Sequence, residues 1–176
     1  MAAEHDLELV YVHFPLHPET PNEGRSLMDL FAGREALLRD MMSRLDALFR
    51  QEGLPWAGET RTMTYNSRLA QELAAWAVTQ DGGDRIHDAL FRAYFVDGVN
   101  LANVDLLVEI AGRLNLSTTE AREVLEQRSF RESVDEDWQR STELGLRGVP
   151  AYVFGGRAVV GAQPYEVLDR LVTAAG

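Results

Sequence analysis

Few side chains in this sequence have a type and spacing suited to chemistry, and none of them is a cysteine. The chain has 176 residues, no cysteine and four histidines. Without cysteine it has no thiolate for nucleophilic attack, disulfide exchange or metal binding. His13 and His17 are four residues apart, but they fall at a strand end and in a proline-rich loop, so they do not form a helical metal pair. The side chains therefore predict no catalytic residue, no metal site and no cofactor.

The remaining polar candidates have simpler structural interpretations. His13, within an apolar stretch, is expected to be a half-buried, hydrogen-bonded residue of the core. Four acidic residues lie in the first turns of a predicted helix, where carboxylates favour the helix dipole, and we expect them to face solvent: Glu132, Asp135, Glu136 and Asp137.

The strongest candidate for a site is a backbone feature in residues 147–164. Residues 151–154 and 157–160 read as two strands joined by Gly155-Gly156, a turn that tolerates positive φ at both positions. Pro150, at the entrance of the first strand, lacks an N–H donor, so it is expected at a sheet edge or bend and is a candidate for a cis bond after Val149. Gln163 is the predicted cap of a final helix that starts at Pro164.

Composition excludes several classes of function. Hydrophobic residues make up 45% of the chain, which is typical of a globular protein, and the net charge is −11. An acidic surface repels phosphate backbones and anionic membranes, so neither nucleic acid nor lipid is an expected partner. The first eight residues contain no apolar signal core, and no run approaches the length of a membrane span. A cytoplasmic protein is the expectation.

The hydrophobic periodicity predicts one strand, a block of helices, a hairpin and a last helix. The strand covers Leu7–Phe14, whose apolar residues on both faces suggest a sheet covered by helices. Helical spacing then recurs from about residue 35 to 145. We therefore predict an α/β fold in which 1–32 and 146–176 form a core of sheet and helix, and 33–145 form an inserted helical subdomain.

Four segments resemble one known family. They are Gly148–Phe154 followed by Gly161–Pro164, the proline-rich loop Phe14–Gly24, Tyr65-Asn66-Ser67 with Ala70, and Leu144–Pro150. Together they look like the DsbA-like thioredoxin superfamily, in its FrnE-type branch beside the 2-hydroxychromene-2-carboxylate isomerases and kappa-class glutathione transferases. The resemblance implies a thioredoxin-like fold with a helical insertion and a disulfide oxidoreductase as the family activity.

One part of the family pattern has no counterpart here. Family members begin with a strand and a helix that carry Cys-x-x-Cys, or a serine in the isomerase and transferase branches. In the family fold that strand lies between the counterparts of Leu7–Phe14 and 151–154. Three outcomes are expected: the two flanking strands pair directly, a second copy fills the gap, or the native product starts upstream. We favour a homodimer, in which exchange of strands or domains is one way to fill the gap.

The resemblance implies a site at Gly148, Val149, Pro150 and Tyr152, where the family presents backbone to an extended peptide or to glutathione. Since no thiolate is present, the chain is predicted to be a redox-inactive member of an oxidoreductase family. A non-catalytic module that binds a peptide or a small thiol ligand is one alternative. A relative of the glutathione-dependent isomerases and transferases is the other.

Overall fold

The structure, a computed structural model, describes residues 4–174 apart from the side chain of Glu59. The chain divides into two compact units. The helical unit comprises His17–Ser133, and the hairpin unit combines Met1–Leu16 with Val134–Gly176. The predicted domain limits at residues 32 and 145 stay a prediction.

In the helical unit, four helices of ten residues each pack around a single apolar core. In chain order it contains β1 (Arg25–Ser26), α1 (Leu27–Leu30), α2 (Glu35–Gln51), a 3₁₀ turn (Gly58–Thr60), β2 (Met63–Thr64), α3 (Arg68–Ala77), a second 3₁₀ turn (Gly83–Arg85), α4 (Ile86–Phe95), α5 (Val104–Arg113) and α6 (Thr118–Gln127). Strands β1 and β2 pair antiparallel, with Arg25 opposite Thr64. Apolar side chains from α3 to α6 are fully buried, among them Leu73, Ile86, Leu107, Ile110 and Leu125.

Side-chain caps fix where two of these helices begin. Ser117 accepts a hydrogen bond from the Glu120 N–H at 3.2 Å, as the spacing of serine and glutamate predicts. Asn103 accepts one from the Leu106 N–H at 3.1 Å. Each cap satisfies a backbone donor that the first helical turn leaves free.

The hairpin unit contains most of α7 (Arg131–Glu143), β3 (Ala151–Phe154), β4 (Arg157–Val160) and α8 (Tyr165–Thr173). Strands β3 and β4 pair antiparallel, with Phe154 opposite Arg157. Gly155 and Gly156 join them with φ of 55° and 75°. These positive values explain the two glycines, because a Cβ makes such backbone conformations costly. The predicted hairpin is confirmed at every residue.

Two local predictions are wrong. Residues 7–14 form no strand, although a strand was predicted there, and no ladder joins them to β3 in the described part of the chain. A strand needs a neighbour to bond its backbone, so apolar alternation alone does not produce one. Direct pairing of the two flanking segments, the first of three expected outcomes, is therefore not observed. At the last helix, Pro164 occupies the N-cap position, and Gln163 instead donates from Nε2 to Val160 O at 2.8 Å.

None of the helices found across residues 4–174 has both the length and the apolar character needed to span a bilayer.

Candidate functional site

The register of the hairpin determines which backbone groups of β3 face away from β4. Gly161 N–H donates to Pro150 O over 2.7 Å, one step beyond the pair formed by Ala151 and Val160. Positions 150 and 161 are therefore a hydrogen-bonded pair. Along antiparallel strands such pairs alternate with pairs that share no hydrogen bond.

The alternation leaves one edge of β3 open. Hydrogen-bonded pairs recur at every second residue, so the backbone groups of Tyr152 and Phe154, like those of Pro150, point toward β4. The N–H and C=O groups of Ala151 and Val153 point to the opposite side. Within residues 4–174 no strand pairs with that side of β3. The edge therefore offers two donors and two acceptors in the spacing that an added strand requires.

The predicted site residues lie together at the start of this edge. Gly148, Val149 and Pro150 lead directly into β3, and the Val149–Pro150 peptide bond is cis. Val149 is 47% exposed and Tyr152 is 38% exposed. The structure thus brings all four predicted residues to one accessible stretch of backbone, and their role in binding stays a prediction.

Several apolar side chains along the same stretch are exposed. Large apolar residues of the hairpin are exposed at Val149, Tyr152, Val153, Phe154 and Val160. In the N-terminal segment of the same unit, residues 4–16, Leu9 and Val10 are each 69% exposed. Clusters of exposed apolar residues of this kind mark surfaces that bind a partner.

His13 fastens the N-terminal segment to α7. Asp137 Oδ2 accepts from the His13 backbone N–H at 3.0 Å and lies 2.7 Å from His13 Nδ1. Ser141 Oγ donates to His13 O at 3.3 Å. The prediction that His13 is a hydrogen-bonded structural residue is confirmed. The prediction of a solvent-facing acidic cluster is wrong for Asp137, because the carboxylate turns inward to His13.

Two further contacts hold the first described residues to α8. His5 Nε2 lies 2.8 Å from Asp169 Oδ1, and Tyr165 Oη donates to Glu4 Oε2 over 2.5 Å. The hydrogen bond to Glu4 raises the pKa of Tyr165 to about 12, since it holds the phenol proton. The N-terminal segment is therefore attached at both of its ends by polar side chains.

The helical unit contains a buried charge network that sequence analysis did not find. Glu72 on α3 is fully buried, and its carboxylate accepts from Arg68 Nε at 2.8 Å and from Arg128 Nε and Nη2 at 2.7 Å each. Arg68 Nη2 also donates to Arg131 O at 2.7 Å. Burial opposes ionisation of Glu72, but the hydrogen bonds from Arg128 and Arg68 outweigh it and hold its pKa below the usual range.

Neither network resembles a catalytic or metal centre. No group of three histidine, aspartate or glutamate side chains in residues 4–174 is arranged to hold a metal ion. The carboxylates of Glu72 and Asp137 are already occupied by structural partners. What the hairpin edge offers is main-chain hydrogen bonding beside apolar side chains, which suits recognition of an extended polypeptide backbone.

Two groups important to this edge were missed from sequence. Ala151 and Val153 supply the outward backbone donors, yet only Tyr152 of β3 was named as a site residue. The sequence contained the information needed to find them. A two-residue turn at Gly155-Gly156 determines which residues face each other and which pairs are hydrogen-bonded throughout the hairpin.

Three comparisons relate the chain to known proteins. A family model described as a DSBA-like thioredoxin domain matches residues 1–173. The structure is similar to that of a probable DsbA oxidoreductase from Streptomyces coelicolor, with a TM-score of 0.86 and 26% identity over 96% of this chain and 75% of the other. These matches confirm the predicted α/β thioredoxin-like fold.

Two more distant similarities were also found. A putative protein disulfide isomerase from Nitrosomonas europaea has a TM-score of 0.62 at 16% identity, over 80% of this chain and 72% of that one. The uncharacterized protein YwbO of Bacillus subtilis is 23% identical over 111 residues, which are 60% of this chain. The chain spans about half, 53%, of the length of that relative.

Proposed function

Because the chain belongs to the family of DSBA-like thioredoxin domains, we propose that it binds an extended polypeptide segment along the open edge of β3. The observation that carries this proposal is the outward direction of the N–H and C=O groups of Ala151 and Val153. A peptide laid against that edge gains main-chain hydrogen bonds, and its side chains meet the exposed Val149 and Tyr152.

Replacing Val153 with proline is expected to weaken peptide binding at least about tenfold, because it removes one outward donor. The ladder to β4 stays intact, since Val153 and Ala158 face each other as a pair without mutual hydrogen bonds. The probe is a capped peptide of about six residues rich in valine and threonine, and isothermal titration measures its affinity.

The matched control is Ala158→Pro, directly across the hairpin, where the lost N–H points to the opposite edge. It should leave the affinity unchanged. A probe peptide N-methylated at alternate residues should not bind, because it cannot donate to β3. Equal loss of affinity in both proline variants, or undiminished binding of the methylated peptide, would reject the edge as the site. Glutathione added to the same titration tests whether a small thiol ligand competes.

We further propose that in the absence of peptide a second copy occupies the same edge and forms a homodimer. Support comes from the unpaired edge of β3, the exposed Leu9 and Val10, and the tendency of open edges to recruit strands. The two proline variants test it by light scattering. Val153→Pro should be monomeric at micromolar concentration, while Ala158→Pro and the unmodified chain should be dimeric and dissociate when peptide is added. A monomeric unmodified chain would exclude the dimer.

We also propose that this chain, of the FrnE-type branch by resemblance, does not itself exchange disulfides. Exchange begins with attack by a thiolate, and none of the 176 residues supplies one. An insulin-reduction assay with dithiothreitol should proceed at the uncatalysed rate whether or not the chain is present. Acceleration above that rate would contradict the proposal. A cytoplasmic location stays a prediction, which fractionation of cells that express the chain would test.

A further inference from the structure

Arg61, between the first 3₁₀ turn and β2 of the helical unit, is a cation held in place by aromatic rings. Its guanidinium carbon lies 4.5 Å from the centre of the Tyr94 ring and 5.5 Å from that of Phe95. Its Nη2 donates to Tyr94 Oη at 2.5 Å. Stacking and this hydrogen bond fix the plane of the guanidinium and the direction in which its remaining donors point.

This arginine has fewer acceptors than its donors require. Its Nε is buried and has no hydrogen-bond partner among the side chains and backbone that the structure describes. None of the described carboxylates comes within ion-pair distance of it, although the chain carries a net charge of −11. A guanidinium with no carboxylate beside it leaves its charge uncompensated, so an anionic acceptor is favoured wherever its accessible donors can be reached.

A small cavity adjoins the guanidinium. It has a volume of about 90 Å³, and Arg61 lines it together with Thr60, Tyr65 and Tyr94. That volume holds several water molecules or one compact anion. Thr64 Oγ1 lies 3.1 Å from Tyr94 Oη, which places a second hydroxyl beside the one that Arg61 bonds.

We propose that this cavity binds a small oxyanion, a phosphate or a carboxylate, through Arg61. A guanidinium fork forms paired, charge-assisted hydrogen bonds with either group. The rings of Tyr94 and Phe95 hold the fork in position, and the tyrosine hydroxyls supply neutral partners at the cavity wall. The site is independent of the β3 edge, since all its residues belong to the helical unit.

The test uses the full chain and inorganic salts as probes. Sodium phosphate and sodium acetate are compared with sodium chloride at equal ionic strength, and the melting temperature is followed by scanning calorimetry. Phosphate, acetate or both should raise the melting temperature above the chloride value, and the salt that does so identifies the preferred oxyanion. Arg61→Gln should abolish this increase in melting temperature. It should also weaken binding of the anion about tenfold or more, measured by titration.

Arg34→Gln is the matched control, because Arg34 also lies over an aromatic ring, that of Phe31 at 5.5 Å, but is exposed. It should retain the increase. If Arg61→Gln does not fold, the site is tested by the amide chemical shifts of the unmodified chain. Titration with the salt should shift the amide signals of Tyr65 and Gly98 at the cavity and leave those of β3 unchanged. No increase over chloride, an equal increase in Arg61→Gln, or shifts spread evenly over the surface would overturn the site.

Discussion

Replacing Glu72 with glutamine is expected to lower the free energy of unfolding of the helical unit by about 3 kcal/mol, because it leaves two arginines without their shared carboxylate. Arg68 is only 13% exposed, so it cannot recover full hydration, whereas Arg128 at 42% recovers part of it. The glutamine amide group would also place its N–H donors against the N–H donors of the two guanidinium groups, which cannot accept them. Urea denaturation followed by circular dichroism measures the change.

Asp40→Asn is the matched control for Glu72→Gln. Asp40 pairs with Arg44 at 2.7 Å with the same four-residue spacing on α2, but both side chains are more than half exposed. Solvent screens such a pair, so the control should change the midpoint very little. Equal effects in the two variants would show that burial of Glu72 adds nothing to its ion pairs.

The effect of Glu72 should also depend on pH in one direction. Its pKa is lower in the folded state than in the unfolded chain, despite the opposing effect of burial, because Arg128 and Arg68 stabilise the carboxylate. Its contribution is therefore complete above the unfolded value of about 4.3 and is lost as pH falls through the lower folded value. The difference between the unmodified chain and Glu72→Gln should shrink in acid, and a difference that grows would contradict the assignment.

Replacing Gly83 with alanine should be nearly as damaging, with a loss of about 3 kcal/mol, because the added methyl group has no space. A Cβ at this position would lie 1.7 Å from Ala77 O and 2.5 Å from Ala77 C. Both are backbone atoms at the end of α3, so no side-chain rotation relieves the overlap. The second 3₁₀ turn would have to move away from the core, and thermal unfolding would measure the result.

Gly112→Ala provides the comparison for Gly83→Ala. Gly112 lies in α5, and a Cβ there would meet only the methyl group of Thr118, at 2.9 Å. That side chain can shift, and alanine stabilises a helix interior relative to glycine by about 1 kcal/mol. The variant should be as stable as the unmodified chain or more so. Similar losses at both glycines would indicate a general intolerance of substitution instead of a steric clash.

Local patterns predicted the fold where the determining contacts are local. The hairpin is correct at each residue because Gly155-Gly156 permits a two-residue turn, and α2 follows its apolar spacing from Glu35. The pair β1–β2 was not predicted, because it joins Arg25 to Thr64 and each strand has only two residues. So short a strand carries no periodicity, and the partner is distant in sequence.

The polar networks show the same limit. The spacing of Arg68 and Glu72 suggests a helical ion pair, but no sequence rule indicates that Arg128 reaches the same carboxylate or that the carboxylate is buried. Asp137 resembled its acidic neighbours in sequence, and its carboxylate is turned inward by the contact with His13. In the candidate site, residues 148–150 and 152 were predicted from the family resemblance. The open edge of β3 could be identified only from the register of the strands in the structure.

The composition of the hairpin unit has a consequence for synthesis on the ribosome. Its residues come from both ends of the chain, Met1–Leu16 and Val134–Gly176, whereas His17–Ser133 is continuous. The continuous unit can therefore fold while the remainder is still being translated. His5 must wait for Asp169 to emerge before its contact can form, more than one hundred and fifty residues later. Residues 4–16 therefore lack these contacts while residues 17–133 are being translated, and their exposed apolar side chains can bind a holding chaperone during that time.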